Sequence, residues 1–299
     1  MLDRLKAIRA AAEPLAGEKK HKPKALPGLV ASLRAARGQD APAEKPARTA
    51  VCRRIAVVAI TRHGIALAGK VIRALPAARL HVPEKFSADA EKAAPGAVST
   101  YAGKTGEELG RLFGEVDGIV AIFSLGAVVR LIAPYLQSKT RDPAIVVLDE
   151  SGKFAIPALS GHLGGANALA GELGRALGAV PVLTTASDVQ ETLAVDLLGR
   201  EFDWTVEATH EALVDAAAAV VNEAPVALVQ ETGRRDWWRG HANGRSGPLP
   251  DNLECFDRLE DIDPAKFAAV LWITRRALPA ALAETLAGRC VIYRPPEAS

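Results

Sequence analysis

Ile55-Ala56-Val57-Val58-Ala59-Ile60, followed at once by Thr61-Arg62-His63-Gly64, decides how the rest of the chain is read. Six apolar residues without a polar interruption suit a strand buried on both faces, as the strands of a parallel sheet are. The hydroxyl- and glycine-bearing turn then opens an apolar-periodic stretch over residues 65–75, a helix that Pro76 stops. One strand–turn–helix unit cannot bury itself, so the same unit must recur.

It does recur. Residues 79–82 read as a strand, 107–113 as a helix and 118–123 as a strand. Ser124-Leu125-Gly126 is a second strand-to-helix turn, its helix running through Val129 and Leu131 towards Leu136. Residues 144–148 form a buried strand, Asp149-Glu150-Ser151-Gly152-Lys153 a hairpin turn, and 154–159 the returning strand. A Gly-rich turn from Ser160 to Gly165 opens a helix carrying Leu169, Leu173 and Leu177, and residues 180–183 add a strand. Further on, 193–198 and 211–221 read as helical, 226–229 and 268–273 as strands, and 232–252 as a long polar loop. The expected fold is α/β: a mostly parallel sheet flanked by helices over residues 54–190, then a second, smaller α/β domain over 191–299.

Residues 1–53 differ in character, being rich in Lys, Arg, Ala and Pro, with Lys19-Lys20-His21-Lys22-Pro23-Lys24 as the densest cluster. Leu2, Leu5, Ile8 and Leu15 can support one short amphipathic helix; the rest buries too little to offset its ordering entropy and reads as a disordered basic arm.

With 299 residues, 49% of them apolar, the chain has room for two cores. A net charge of +2 gives no global reason for nucleic acid or an anionic membrane. Cys52, Cys255 and Cys290 are odd in number and form no CxxC pair, which argues against a disulfide framework and against a zinc ribbon. No apolar run is long enough to span a bilayer, and residues 1–16 lack a secretory core, so the expected location is the cytoplasm.

Ligands of parallel sheets collect at the carboxyl ends of the strands. Three turns are expected at that edge: Thr61 to Gly64, Ser124 to Gly126, and Ser160-Gly161-His162-Leu163-Gly164-Gly165-Ala166-Asn167. Helix-start amides attract anions, the glycines admit a ligand to the backbone, and Asn167 offers a donor and an acceptor. The third turn is neither a P-loop nor a dinucleotide fingerprint. His162 is a candidate general base or acid, against the plain alternative of a structural histidine; His63 is a weaker one. Arg130, set among Val128, Val129, Leu131 and Ile132, is expected to need an anionic partner. Lys139 follows in a charged cluster with Arg141 and Asp142. Thr184-Thr185-Ala186-Ser187-Asp188 ends a strand with three hydroxyls and a carboxylate, either a helix cap or part of the cleft. The residues describe a polar cleft for a polyanionic ligand, with no nucleophilic triad and no metal site.

The stretch LGAVVRLIAPYLQSKTRDPAIVVLDESGKFAIPALSGHLGGANALA (residues 125–170), followed by VPVLTTASD (180–188), closely resembles the CbiG family, the cobalt-precorrin-5A hydrolases of anaerobic cobalamin biosynthesis. IAVVAITRHG (55–64) resembles the start of that family, and residues 195–274 more weakly resemble its central region. The resemblance implies hydrolysis of the δ-lactone of cobalt-precorrin-5A, with a two-carbon unit leaving as acetaldehyde. It implies no organic cofactor, since cobalt arrives inside the substrate. Under it, the helix starts after Ser124 and Ser160 hold substrate carboxylates, Arg130 and Lys139 neutralise others, and His162 activates water or shuttles a proton; Asp188 is the other expected catalytic residue. Thr61, Gly64, Gly126, Gly161, Gly164, Gly165, Asn167, Thr184 and Thr185 complete the expected binding surface. The basic arm would have the anionic tetrapyrrole or a partner protein to dock against. The family's C-terminal domain is expected to begin near Val291-Ile292-Tyr293-Arg294-Pro295-Pro296, so the expectation is either that a separate polypeptide supplies it or that the chain works without it. The competing expectation is a non-catalytic protein that binds the corrinoid intermediate and passes it on.

Overall fold

The structure, a computed structural model, describes residues 54–138, 141–238 and 247–297. The arm over residues 1–53 and Lys139 therefore lie outside the described residues.

Seven strands form the first sheet: β1 (Ile55–Ala59), β2 (Arg79–Pro83), β3 (Val98–Tyr101), β4 (Gly118–Ile122), β5 (Ala144–Leu148), β6 (Phe154–Leu159) and β7 (Val180–Pro181). Their spatial order is β3-β2-β1-β4-β5-β6-β7. The helices of this part are α1 (Arg62–Ala74), α2 (Ser87–Ala93), α3 (Thr105–Glu115), α4 (Leu125–Ile132) and α5 (Ala166–Leu177). Alternate residues of the central strands serve opposite faces. Val57, Val120, Val146 and Leu148 pack with Ile65, Ala68 and Val71 of α1 and with Leu169 and Leu173 of α5. Val58, Ile119, Ile145 and Val147 pack with Leu109 and Leu112 of α3 and with Val128 and Ile132 of α4. Each fully buried Val, Leu or Ile contributes about 1.5–3 kcal/mol, so covering both faces selects strands without polar interruptions.

The pairing of β5 with β6 is antiparallel, Ile145 standing opposite Leu159 and Leu148 opposite Ala155. A five-residue turn cannot do otherwise, because a parallel partner needs a crossover connection. Asp149 shapes that turn: its carboxylate accepts from the Phe154 amide at 2.7 Å and from the Ser151 amide at 3.1 Å. β7 then runs parallel to β6. The carboxyl ends of β6 and β7 thus lie at the edge where β1, β4 and β5 begin. The expectation that all three glycine turns share one edge is overturned by this single reversal.

The second sheet has five strands: β8 (Thr205–Glu207), β9 (Val226–Gln230), β10 (Leu253–Phe256), β11 (Ala269–Ile273) and β12 (Cys290–Arg294). They are ordered β10-β9-β11-β12-β8, and β8 alone is antiparallel to its neighbour. A four-residue helix, α6 (Ala186–Val189), precedes this part; α7 (His210–Val221) and α8 (Ala280–Leu286) belong to it. Leu228, Leu271 and Tyr293 face Ala216, Ala219 and Val220 of α7. Ala227, Val270 and Trp272 face Leu259, Phe267 and Leu286. The stretch expected to be a polar loop begins inside this core: Trp237 is 4% and Trp238 7% exposed. Their indole N–H groups donate to Gln230 Oε1 at 2.9 Å and to the Gly247 carbonyl at 2.8 Å.

Candidate functional site

The reversal at β6 sorts the expected site residues into two sets. At the carboxyl ends of β1 and β4, where the connections to β2 and β5 leave in opposite directions, stand Thr61, Gly64, Ser124 and Gly126. That is the crevice in which open α/β sheets usually bind ligands. Here Thr61 caps α1, accepting from the Gly64 amide at 3.0 Å and donating to the Glu150 carboxylate. Gly64 is buried under Ile122, while Ser124 and Gly126 are exposed. Arg130 is exposed as well, although its neighbours in sequence are apolar, so water rather than an anionic partner can satisfy it. The helix turns it outward because Val128 and Ile132 face the sheet.

The other set gathers at the opposite edge, separated from the first by the length of the strands, roughly 17 Å for five residues. The turn from Ser160 to Asn167 closes on itself. Gly165 N–H donates to the His162 carbonyl at 3.0 Å, Ala166 N–H to Ser160 at 3.1 Å and Asn167 N–H to Gly161 at 3.0 Å. Ser160 holds a left-handed backbone at φ 55°, and its hydroxyl donates to the Asp142 carbonyl at 3.1 Å. The glycines serve this closure rather than access for a ligand. A β-carbon on Gly161 would stand 2.7 Å from Asn167 Oδ1, and one on Gly164 would stand 2.3 Å from the β-carbon of Ser160. Gly165, at φ 89°, starts α5.

The closed turn presents His162 to the segment after β7. Its Nε2 lies 3.1 Å from Asp188 Oδ2 and 3.2 Å from Ser187 Oγ, and its Nδ1 lies 3.4 Å from Asp196 Oδ1. Asp188 Oδ2 also accepts from Asn167 Nδ2 at 2.7 Å and from the Thr185 hydroxyl, and Asn167 Nδ2 reaches Thr185 Oγ1 at 2.9 Å. Thr184 is exposed beside this group. The structure therefore unites His162, Asn167, Thr185 and Asp188 from the expected set and adds Ser187 and Asp196.

Asp196 comes from a single helical turn, Val195–Leu197, fixed from the second sheet: the Tyr293 hydroxyl donates to the Val195 carbonyl at 2.7 Å. Arg200 Nη1 donates to the Leu163 carbonyl at 2.9 Å and clamps the turn from the same side. Its sequence context held a signal, since Asp196 is the one acidic residue in Leu193-Ala194-Val195-Asp196-Leu197-Leu198. Ser187 carried only the general signal of a hydroxyl-rich turn.

The electrostatics follow from these contacts. The hydrogen bond to Asp188, then that to Asp196, raise the His162 pKa to about 9 against the opposing effect of burial. The His162 hydrogen bond is likewise the main cause that holds Asp188 down at about 2. At neutral pH the ring is an imidazolium between two carboxylates, a proton donor. Ser187 Oγ and Asp196 Oδ1 thus stand on opposite sides of the His162 ring.

Asp188 borders a cavity of about 930 Å³ whose wall carries Glu191, Glu223, Asp251 and Trp238. Four carboxylates repel further carboxylates, so the cavity suits an uncharged or cationic group. Among the described residues no three or more His, Cys, Asp or Glu side chains gather in a metal-holding group, and no helix is long and apolar enough to cross a membrane.

Residues 107–188 match the family model for the N-terminal region of cobalamin synthesis G, and residues 193–295 match the model for the cobalamin biosynthesis central region. A cobalt-precorrin-5A hydrolase from Priestia megaterium is 40% identical over 240 residues, covering 80% of this chain and 62% of that protein. A cobalt-precorrin-5A hydrolase from Salmonella typhimurium is 33% identical over 184 residues, covering 62% of this chain and 48% of that protein. The chain thus spans less than two thirds of either relative. Among solved structures, a cobalamin biosynthesis protein G homolog from Sulfolobus solfataricus covers 82% of this chain and 61% of its own, at 21% identity and a TM-score of 0.43.

Proposed function

Since the chain belongs to the cobalamin synthesis G family through its N-terminal and central regions, we propose that it takes part in the hydrolytic opening of the δ-lactone of cobalt-precorrin-5A, with release of acetaldehyde. The single observation that carries this reading is the position of His162, held on both ring nitrogens by Asp188 and Asp196. Lactone hydrolysis needs a proton delivered to the ring oxygen as its bond to the carbonyl carbon breaks. An imidazolium with a 19% exposed side chain can deliver it. Asn167 and Thr185 hold Asp188 in place, so the ring keeps one orientation through the transfer. The uncharged lactone edge faces His162, and the carboxylate fringe of the macrocycle stays clear of Glu191, Glu223 and Asp251. Cobalt enters as part of the substrate, and no organic cofactor is required.

The test is acetaldehyde release from cobalt-precorrin-5A by the purified chain, read as NADH consumed by a coupled alcohol dehydrogenase. Release by the chain, lowered about 10²-fold or more in His162→Gln, is the expected result. Release only after the remaining length of the Priestia megaterium relative is added as a second polypeptide would place part of the reaction there. Binding without release under either condition would instead make the chain a carrier of the intermediate.

A further inference from the structure

Ser187 Oγ lies 3.2 Å from His162 Nε2, and the far side of the ring lies 3.4 Å from Asp196 Oδ1. Resting on the hydrolytic reading above, we propose that Ser187 is the nucleophile of the lactone opening, that His162 carries its proton, and that Asp196 is a positioning residue holding the ring with its proton on Nδ1. Ser187 sits in the first turn of α6 and is 6% exposed, so its hydroxyl is fixed rather than swept through rotamers. Asp188, the next residue, forms part of the cavity wall, so the cavity comes within one residue of Ser187.

The steps balance without any further reactant than water. Ser187 Oγ bonds to the lactone carbonyl carbon and gives its proton to Nε2. The carbon–oxygen bond of the lactone ring breaks, and Nε2 returns the proton to the departing alkoxide. That leaves an ester on Ser187 and a free hydroxyl on the substrate. Water then attacks the ester carbonyl, its proton passing through Nε2 to Ser187 Oγ as the serine leaves. One water is consumed, and one carboxylic acid and one alcohol are formed.

Asp188 gives this arrangement an uncommon control. It shares Nε2 with Ser187, so a protonated ring points its Nε2–H at the Asp188 carboxylate. Only the neutral ring leaves Nε2 free to accept from Ser187. The charged groups around the ring are Asp188 and Asp196, with Arg200 reaching the Leu163 carbonyl of the same turn. Nucleophilic reactivity of Ser187 therefore rises with pH as the imidazolium loses its proton.

A fluorophosphonate probe, which reports activated serines without needing the corrinoid, tests this on the full chain. The adduct is expected on Ser187 by peptide mass spectrometry, forming at least about tenfold faster near pH 10 than near pH 7. His162→Gln is expected to lower the labelling rate about 10²-fold or more. Asp196→Asn is expected to lower it too, and to move the rise to lower pH because one of the two carboxylates raising the His162 pKa is gone. Absence of label on Ser187 at every pH, in a chain that still unfolds cooperatively, would overturn the assignment. So would Ser187→Ala releasing acetaldehyde at the wild-type kcat, which would leave direct attack by water and keep the hydrolase reading. Labelled Ser187 in a chain that releases no acetaldehyde, even with the remaining length of the Priestia megaterium relative added, would sustain the nucleophile and reject the corrinoid lactone as its substrate.

Discussion

His162 Nε2 lies 3.1 Å from Asp188 Oδ2 while its Nδ1 lies 3.4 Å from Asp196 Oδ1, so one imidazole ties the turn after β6 to the two segments that lead into the second sheet. The tie makes stability depend on pH in a stated direction. His162 has its pKa raised from 6.5 to about 9, so its stabilisation is complete below about pH 6.5 and is lost as pH rises through 9. Asp188 has its pKa lowered from 3.8 to about 2, so its stabilisation is present above 3.8 and is lost as pH falls through 2. Both describe one ion pair and count once.

At about 1.4 kcal/mol per pKa unit, and with both side chains partly in contact with water, the alkaline loss is on the order of 2 kcal/mol. Calorimetric unfolding is therefore expected to show a midpoint about 5 °C lower near pH 10 than near pH 7. The difference should largely vanish in His162→Gln. A variant as sensitive to alkali as the wild type would show that other groups set the slope.

Gly164→Ala probes the turn itself. The added β-carbon would stand 2.3 Å from the β-carbon of Ser160 and 2.7 Å from its carbonyl oxygen, and backbone atoms have no rotamer to escape into. The turn must open, at a cost of about 1–3 kcal/mol, and His162 moves with it. Denaturant unfolding is expected to show that loss, together with a fall in kcat of at least about tenfold. Gly114→Ala, inside α3 where a β-carbon meets nothing within 4 Å, is the matched control and should lower neither.

The sheet strands were legible because burial on both faces leaves no room for polar residues: 144–148 and 154–159 were read with the bounds the structure gives them. What the same reading lacked was direction. The hairpin turn marks residues 154–159 as a returning strand, but reversal also moves the following turn to the other edge, and no residue within the turn records that. Val98–Tyr101 and Leu253–Phe256 went unread because four-residue strands at sheet edges carry too few buried positions to show a pattern. Trp237 and Trp238 sit in a glycine- and proline-rich stretch whose composition hid their burial. Within the site, His162, Asn167, Thr185 and Asp188 were legible as polar residues beside glycines or a strand end. Asp196 and Ser187 were not singled out, since their roles depend on a contact that the segment after β7 makes only in the folded chain.

Arg130 separates the two edges experimentally. It is exposed in the last turn of α4, the helix that starts at the carboxyl end of β4, whereas His162 stands at the edge where β4 begins. A lactone held at His162 is out of its reach. Arg130→Ala is therefore expected to leave kcat/KM for cobalt-precorrin-5A within about twofold, whereas losing a charged hydrogen bond to a substrate carboxylate would cost about tenfold or more. A tenfold rise in KM at unchanged kcat would place the macrocycle's carboxylates on the Thr61–Ser124 edge and require a different approach to His162.

A second buried histidine serves as the contrast to His162. His81, on β2, is 7% exposed, and its Nδ1 lies 2.8 Å from Glu108 Oε1 on α3. Arg111 approaches the same carboxylate with both Nε, at 3.0 Å, and Nη2, at 2.7 Å. Burial outweighs the carboxylate here and pushes the His81 pKa down, so the neutral ring donates one hydrogen bond and carries no charge. Glu108 stays below its usual range because, although burial acts to raise it, Arg111 and His81 donate to its ionised form. Removing the carboxylate strands a buried ring and leaves the half-exposed Arg111 guanidinium with Glu115 alone. Glu108→Ala is thus expected to destabilise the chain by about 2–3 kcal/mol in denaturant unfolding, and Glu108→Gln by less, because an amide still accepts from one partner. Neither change touches the other edge of the sheet, so fluorophosphonate labelling of Ser187 at temperatures where the variant is folded should match the wild type. If labelling fell with stability, the two histidines would share one cooperative unit, and His162 would owe its position to packing across the whole sheet rather than to its own turn.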